Sequence, residues 1–154
     1  MDSKTAHTAL LKSGLTLSLA ESCTGGKIAS SLAAIPGASQ FLLGSIVSYS
    51  NEWKEKFLNV SPSTLQSKGA VCRETVEEMV QGLFTNTTCD LAAAVSGIAG
   101  PAGGSAEKPV GTIFIAAGKR GQPIRTLRVQ APPMRDKAID FAVETTLKII
   151  IDLI

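Results

Sequence analysis

Histidine is almost missing from this sequence: His7 is the one imidazole in 154 residues. A Ser-His-Asp or Cys-His hydrolase, or a His-rich metal centre, would have to run entirely through it. Its place near the N-terminal end points instead to a surface residue without a chemical role. Acid–base chemistry must then come from Lys, Tyr, Asp, Glu or Cys. Cysteine is scarce as well. Cys23, Cys72 and Cys89 are an odd number with no CxxC spacing, which argues against a disulfide framework and a zinc ribbon. Aromatic residues make up 5% of the chain, and its Lys and Arg are scattered around a net charge of +2. That balance speaks against nucleic acid as the main partner. No apolar run reaches the roughly 18 residues of a membrane span, and "MDSKTAHTALLKSG" lacks the unbroken apolar stretch of a signal peptide. The expectation is a cytoplasmic protein with no membrane association.

What the chain does hold is a hydrophobic fraction of 44%, enough for one domain with a full core. Residues 4–13 read as a short amphipathic helix stopped by Gly14. "LTLSLAES" (15–22) alternates Leu with Thr or Ser and reads as a strand. A helical pattern over 26–35 ends at Pro36-Gly37, and 41–50 turns strand-like in its second half. A helix over 51–58 follows with Asn51 placed as its N-cap. A short helical turn closes at Gly69, and 72–84 is an amphipathic helix. "DLAAAVSGIAG" begins as a buried strand and dissolves into a Gly/Pro-rich loop. "TIFIAAG" and "IRTLRVQ" form two strands turned at Arg120-Gly121, and 134–154 is a terminal helix. Alternating strands and helices, then two adjacent strands, predict an α/β fold: a three-layer α/β/α sandwich with a mixed sheet.

In such folds ligands gather outside the carboxyl ends of strands. Two glycine-bearing loops fall there, "AESCTGG" (20–26) and "SGIAGPAGGS" (96–105). Their glycines let a backbone approach a ligand closely, or they only make tight turns. A third group is "SYSNEWK" (48–54). Tyr49, the sole tyrosine, ends a strand, and Lys54 follows a helical turn later. A lysine beside a serine acts as a general base if burial lowers its pKa. The plainer reading makes Tyr49 strand packing and Lys54 a solvated helix residue. Cys23 could be a thiolate at a helix N-terminus, but without a histidine nearby it reads better as a small buried filler.

Taken in order, "AESCTGG", "SYSNEWK", "KGAV" before an acidic helix, and "SGIAGPAGGSAEKPVGT" resemble the CinA C-terminal domain family over nearly the whole chain. Its enzymatic members are nicotinamide-nucleotide amidases of the PncC type. The resemblance implies hydrolysis of the carboxamide of nicotinamide mononucleotide, an α/β/α sandwich, no metal or other cofactor, and a homo-oligomer. The chain looks like the stand-alone form of the domain. Carried onto this sequence, the family's machinery makes Ser22 the nucleophile, Lys54 the general base and Tyr49 a proton relay. Ser39 is the rival nucleophile, and Ser22 is preferred for its helix-N-terminal setting. Thr24, Gly25 and Gly26 would supply backbone donors, with Gly97, Gly100, Gly103 and Gly104 as the opposite wall around the nucleotide. Glu21 would touch ribose hydroxyls or orient Lys54, and Arg135 would bind phosphate. The family's second arginine in "GDRxxVR" is Ile139 here, and "LNV" stands for "LGV". Losing one charge-assisted phosphate contact costs about 1.5–3 kcal/mol of affinity, not the chemistry. Two other functions stay open: a non-catalytic nucleotide-binding or adaptor module of competence or DNA damage, and an amidase for another small amide.

Overall fold

The computed structural model describes residues 1–154. The elements run α1 (Ser3–Ser13), β1 (Leu17–Glu21), α2 (Lys27–Ala33), β2 (Leu42–Val47), α3 (Asn51–Leu58), α4 (Pro62–Lys68), α5 (Arg73–Asn86), β3 (Leu91–Gly97), β4 (Thr112–Lys119), β5 (Arg125–Gln130) and α6 (Arg135–Ile151). One five-stranded sheet has the order β2-β1-β3-β4-β5. Strands β2, β1 and β3 are parallel, while β4 and β5 pair antiparallel beyond them. This is the expected mixed α/β sheet. No helix is long and apolar enough to cross a membrane.

Side chains alternate between the two faces of a strand, and here both faces are covered. Leu17 and Leu19 of β1, with Leu91, Ala93 and Val95 of β3, join residues of α1, α2 and α6 in one core cluster. Ala20, Ala92 and Ala94 join Leu58, Val76, Met79 and Leu83 of α3 and α5 in the other. The alanines keep the second face shallow, so α5 lies close to the sheet and α3 packs against α5.

Two local expectations are corrected. The N-cap of α3 is Ser50, whose Oγ accepts from the Trp53 amide at 3.2 Å, and Asn51 is the first helical residue. His7 is not a surface residue. It is 3% exposed on the inner face of α1, with its ring edge-on to Phe41 at 5.1 Å.

Gly82 sets the depth at which α3 sits. A Cβ there would lie 1.9 Å from the carbonyl oxygen of Leu58, at the end of α3. No rotamer change relieves a clash with backbone, so Gly82→Ala must push α3 away from α5. The variant is expected to lose about 3 kcal/mol of stability in urea unfolding. A loss under about 1 kcal/mol would mean the helices are not seated through this glycine.

Candidate active site

The last residue of β1 and the one after it go to opposite layers. Glu21 continues the Leu17–Leu19 face toward α2 and is fully buried. Its carboxylate accepts five hydrogen bonds and forms no ion pair. Oε2 takes Thr24 Oγ1 (2.7 Å) and the amides of Gly26 (3.1 Å) and Ile28 (3.0 Å). Oε1 takes the Ala29 amide (3.0 Å) and Ser45 Oγ of β2 (3.0 Å). Glu21 thus ties the turn, the orphan amides opening α2, and the edge strand to one charge, which the helix N-terminus favours. The expectation of a ribose contact or a Lys54 orienter is corrected, because its acceptor sites are consumed by scaffold.

Ser22 turns the other way, toward α3, with its amide bonded to the Val95 carbonyl at 3.1 Å. There it meets Lys54. Lys54 and Leu58, one helical turn apart, form the buried face of α3, and Lys54 is 1% exposed. Its Nζ donates to the Ser48 carbonyl at 2.7 Å, lies 3.2 Å from Ser22 Oγ, and lies 3.5 Å from the Tyr49 carbonyl. No carboxylate pairs with it. Burial without a counter-ion penalises the ammonium and pulls the Lys54 pKa down to about 8. The solvated-helix reading of Lys54 is excluded.

These groups open into a cavity of about 190 Å³ lined by Ser22, Cys23, Tyr49, Lys54, Ser96 and Arg135 among others. Ala70 and Val71, Gly97 and Ala99 complete its walls. The Cys23 thiol sits there too, and burial pushes its pKa up to about 11, so it stays protonated at neutral pH. Arg135, at the start of α6, bridges the mouth. Its Nη1 donates to the Gly100 carbonyl and its Nη2 to Tyr49 Oη, both at 2.9 Å. Tyr49 therefore offers its carbonyl to Lys54 and its hydroxyl to Arg135. Its ring is 59% exposed. Larger hollows exist, such as one of about 460 Å³ along α1 lined by Lys4, Thr8 and Lys12. That one is an open surface trough without buried polar groups converging on it.

The turn after Ser22 divides the expected backbone donors. Gly25 and Gly26 adopt φ of 59° and 95°, a conformation glycine takes freely. Their amides are spent internally, on the Ser22 carbonyl and on Glu21. The amides of Cys23 and Thr24 donate to no protein acceptor. Of the glycine wall, Gly97 lines the cavity, and a Cβ on it would stand 2.8 Å from Ile113 Cγ1 and 3.2 Å from Cys23 Sγ. Gly100 contributes its carbonyl to Arg135, whereas Gly103 and Gly104 are exposed on the loop and do not line the cavity. Ser39 is not brought to the site. It is exposed on a short 3₁₀ turn before β2, at the opposite, N-terminal end of the parallel strands, about 20 Å away by strand length. Ile139 is half-buried against the core, so no second cation reaches the mouth from that turn of α6. Ser45, Ser48 and Ser96 were not singled out in the sequence. Strand pairing, which the sequence does not print, places Ser45 beside Glu21 and Ser96 beside Ser22, while Ser48 meets Lys54 across the turn into α3.

A family model of the CinA C-terminal domain matches residues 2–154. The chain belongs to that family. A CinA-like protein of Shewanella sp. strain ANA-3 is 56% identical over 114 residues, 74% of this chain and 27% of that protein. A protein of Shewanella oneidensis named nicotinamide-nucleotide amidohydrolase PncC is 54% identical over the same length, again 74% of this chain and 27% of its own. The chain thus matches less than a third of the length of these curated relatives. Among solved structures, the competence/damage inducible protein CihA of Agrobacterium tumefaciens superposes with a TM-score of 0.93 at 37% identity, covering 97% of this chain and 92% of that one. A CinA-family fold built around Glu21 leads to a specific expectation. Glu21→Gln replaces an acceptor oxygen with an NH₂ that faces donors, and should cost about 3 kcal/mol in urea unfolding. A cost under about 1 kcal/mol would show that the five bonds do not hold the loop.

Proposed function

We propose that this CinA-family domain is an amidase that hydrolyses the carboxamide of nicotinamide mononucleotide to nicotinate mononucleotide and ammonia. The observation that carries the reading is the contact of Lys54 Nζ with Ser22 Oγ at 3.2 Å, inside a buried cavity where the lysine has no counter-ion. The name of the Shewanella oneidensis relative supports the substrate.

An amide is a poor electrophile and needs an activated nucleophile and charge stabilisation. Neutral Lys54 accepts the Ser22 proton as Oγ attacks the carboxamide carbon. The free amides of Cys23 and Thr24 are the donors at hand for the oxyanion. Protonated Lys54 then gives its proton to the departing nitrogen, and ammonia leaves an acyl-Ser22. Water, deprotonated by the same lysine, releases the carboxylate. A cavity of about 190 Å³ holds a single ring and its carboxamide. Ribose and phosphate would then lie beyond the mouth, where Tyr49 and Arg135 stand. Tyr49 in this scheme positions the mouth, and its carbonyl helps seat Lys54. Ser39 plays no part in it.

The pH dependence follows from Lys54. With a pKa of about 8, about a tenth of the lysine is neutral at pH 7 and about nine-tenths at pH 9. Activity is present above that pKa and falls as pH drops through it. Ammonia release from nicotinamide mononucleotide should therefore show a kcat/KM about tenfold higher at pH 9 than at pH 7. Ser22→Ala and Lys54→Ala should abolish turnover while staying folded. A flat pH profile, or turnover retained in both variants, would contradict the scheme.

A further inference from the structure

The chain's only tryptophan and its only tyrosine both stand on the surface, beside the mouth of the cavity. Trp53 is 48% exposed and Tyr49 59%. Tyr49 leads into α3, Trp53 lies in its first turn, and Lys54 follows on the buried face. One short segment thus sends the lysine into the cavity and leaves the indole outside it. The two rings, with Val47 of β2 and Ser50, line a hollow of about 300 Å³. Tyr49 lines this hollow and the cavity of Ser22 alike, so its side chain is the wall between them.

Both rings are held by groups that are not part of the hollow. Tyr49 Oη accepts from Arg135 Nη2 at 2.9 Å. The indole packs on Phe57, one helical turn on, with ring centres 4.7 Å apart. Inside the hollow there is aromatic and apolar area and no charged side chain. A phosphate or a carboxylate finds no cation there, whereas a neutral flat ring finds two fixed aromatic side chains to stack on. Ser50 Oγ accepts the Trp53 amide and gives its own hydrogen to no protein acceptor, which leaves one donor for a ring nitrogen. Arg135 joins the two spaces, because it lines the cavity and holds the tyrosine between them. A ligand with one ring in the cavity and a second in the hollow carries its linker past that guanidinium, which suits phosphates between two nucleosides.

We infer that the hollow of Val47, Tyr49, Ser50 and Trp53 stacks the purine ring of a dinucleotide, and that the domain hydrolyses the carboxamide of nicotinamide adenine dinucleotide as well as that of the mononucleotide. The inference rests on the amidase reading and widens its substrate class. The nicotinamide ring occupies the cavity, the diphosphate passes Arg135, and the adenine lies against Trp53 on the far side of Tyr49. The reaction is unchanged: Ser22 Oγ displaces ammonia from the carboxamide carbon, and water releases the carboxylate of the nicotinate dinucleotide. A mononucleotide has no second base and makes no use of Trp53.

The test measures ammonia release from both nucleotides by the wild type, Trp53→Ala and Trp53→Phe, with circular dichroism verifying the fold. The wild type should cleave both. In Trp53→Ala the dinucleotide-to-mononucleotide ratio of kcat/KM should fall about tenfold, the share of one base stacked on one aromatic ring, and Trp53→Phe should restore most of it. Because Trp53 is the sole tryptophan, its fluorescence reports the same contact. The dinucleotide should quench it in Ser22→Ala, which binds without turnover, and the mononucleotide should not. A wild type that cleaves only the mononucleotide, a ratio unchanged in Trp53→Ala, or an unquenched indole overturns the base site while leaving the amidase intact. A wild type that cleaves neither nucleotide overturns the amidase reading and this inference with it.

Discussion

Two consecutive polar residues leave the end of β1 on opposite faces of the sheet, and most of the site follows from that alternation. Strand geometry sends Glu21 into the layer of α2 and Ser22 into the layer of α3 and α5. On one side the carboxylate gathers the loop, the first amides of α2 and the edge strand β2. On the other the hydroxyl meets the buried lysine. A one-residue slip of β1 would exchange the two, setting a carboxylate beside Lys54 and a hydroxyl against five donors. The lysine would gain a counter-ion and keep its proton. The five-bond register of Glu21 therefore also keeps Lys54 from gaining a counter-ion by pairing.

The two buried ionisable groups are treated differently by their surroundings. Glu21 is surrounded by five oriented dipoles, among them the N-cap amide and two helix amides of α2, which replace the water it has lost. Lys54 receives one close carbonyl, one hydroxyl and one distant carbonyl. That difference in solvation leaves the ammonium under-compensated, and its readiness to shed a proton is what a serine needs from its neighbour. Lys54 is seated where an apolar residue would ordinarily complete the face shared with Leu58. The close approach of α3 to α5 through Gly82 holds it at that depth.

Much of this was legible in the sequence. The alternation of elements gave the α/β/α layering, because apolar periodicity and Gly/Pro breaks are local signals. The motifs around Ser22, Tyr49 and Lys54 came together in space, and Arg135 joined them from the far end of the chain. What escaped depends on pairing between distant segments. Lys54 reads equally as a surface residue until α5 is known to cover it. Glu21 looks like a ligand contact until α2 folds back over it. Ser96 becomes a neighbour of Ser22 only through the β1–β3 register. Ser39 failed for the same reason in reverse: it stands in a plausible motif, but at the wrong end of a parallel strand. The N-cap of α3 moved by one residue because Ser50 and Asn51 are both good caps, and the strand end, not propensity, chose between them.

The central claim is that burial without a counter-ion makes Lys54 a base near neutral pH. It is tested most directly by titrating the Lys54 side chain in ¹³C-lysine-labelled protein by NMR, with its signal assigned by loss in Lys54→Met. The account predicts a midpoint of about 8. A midpoint near the ordinary lysine value of about 10.4 would contradict it, because the amine would then be almost wholly protonated at neutral pH.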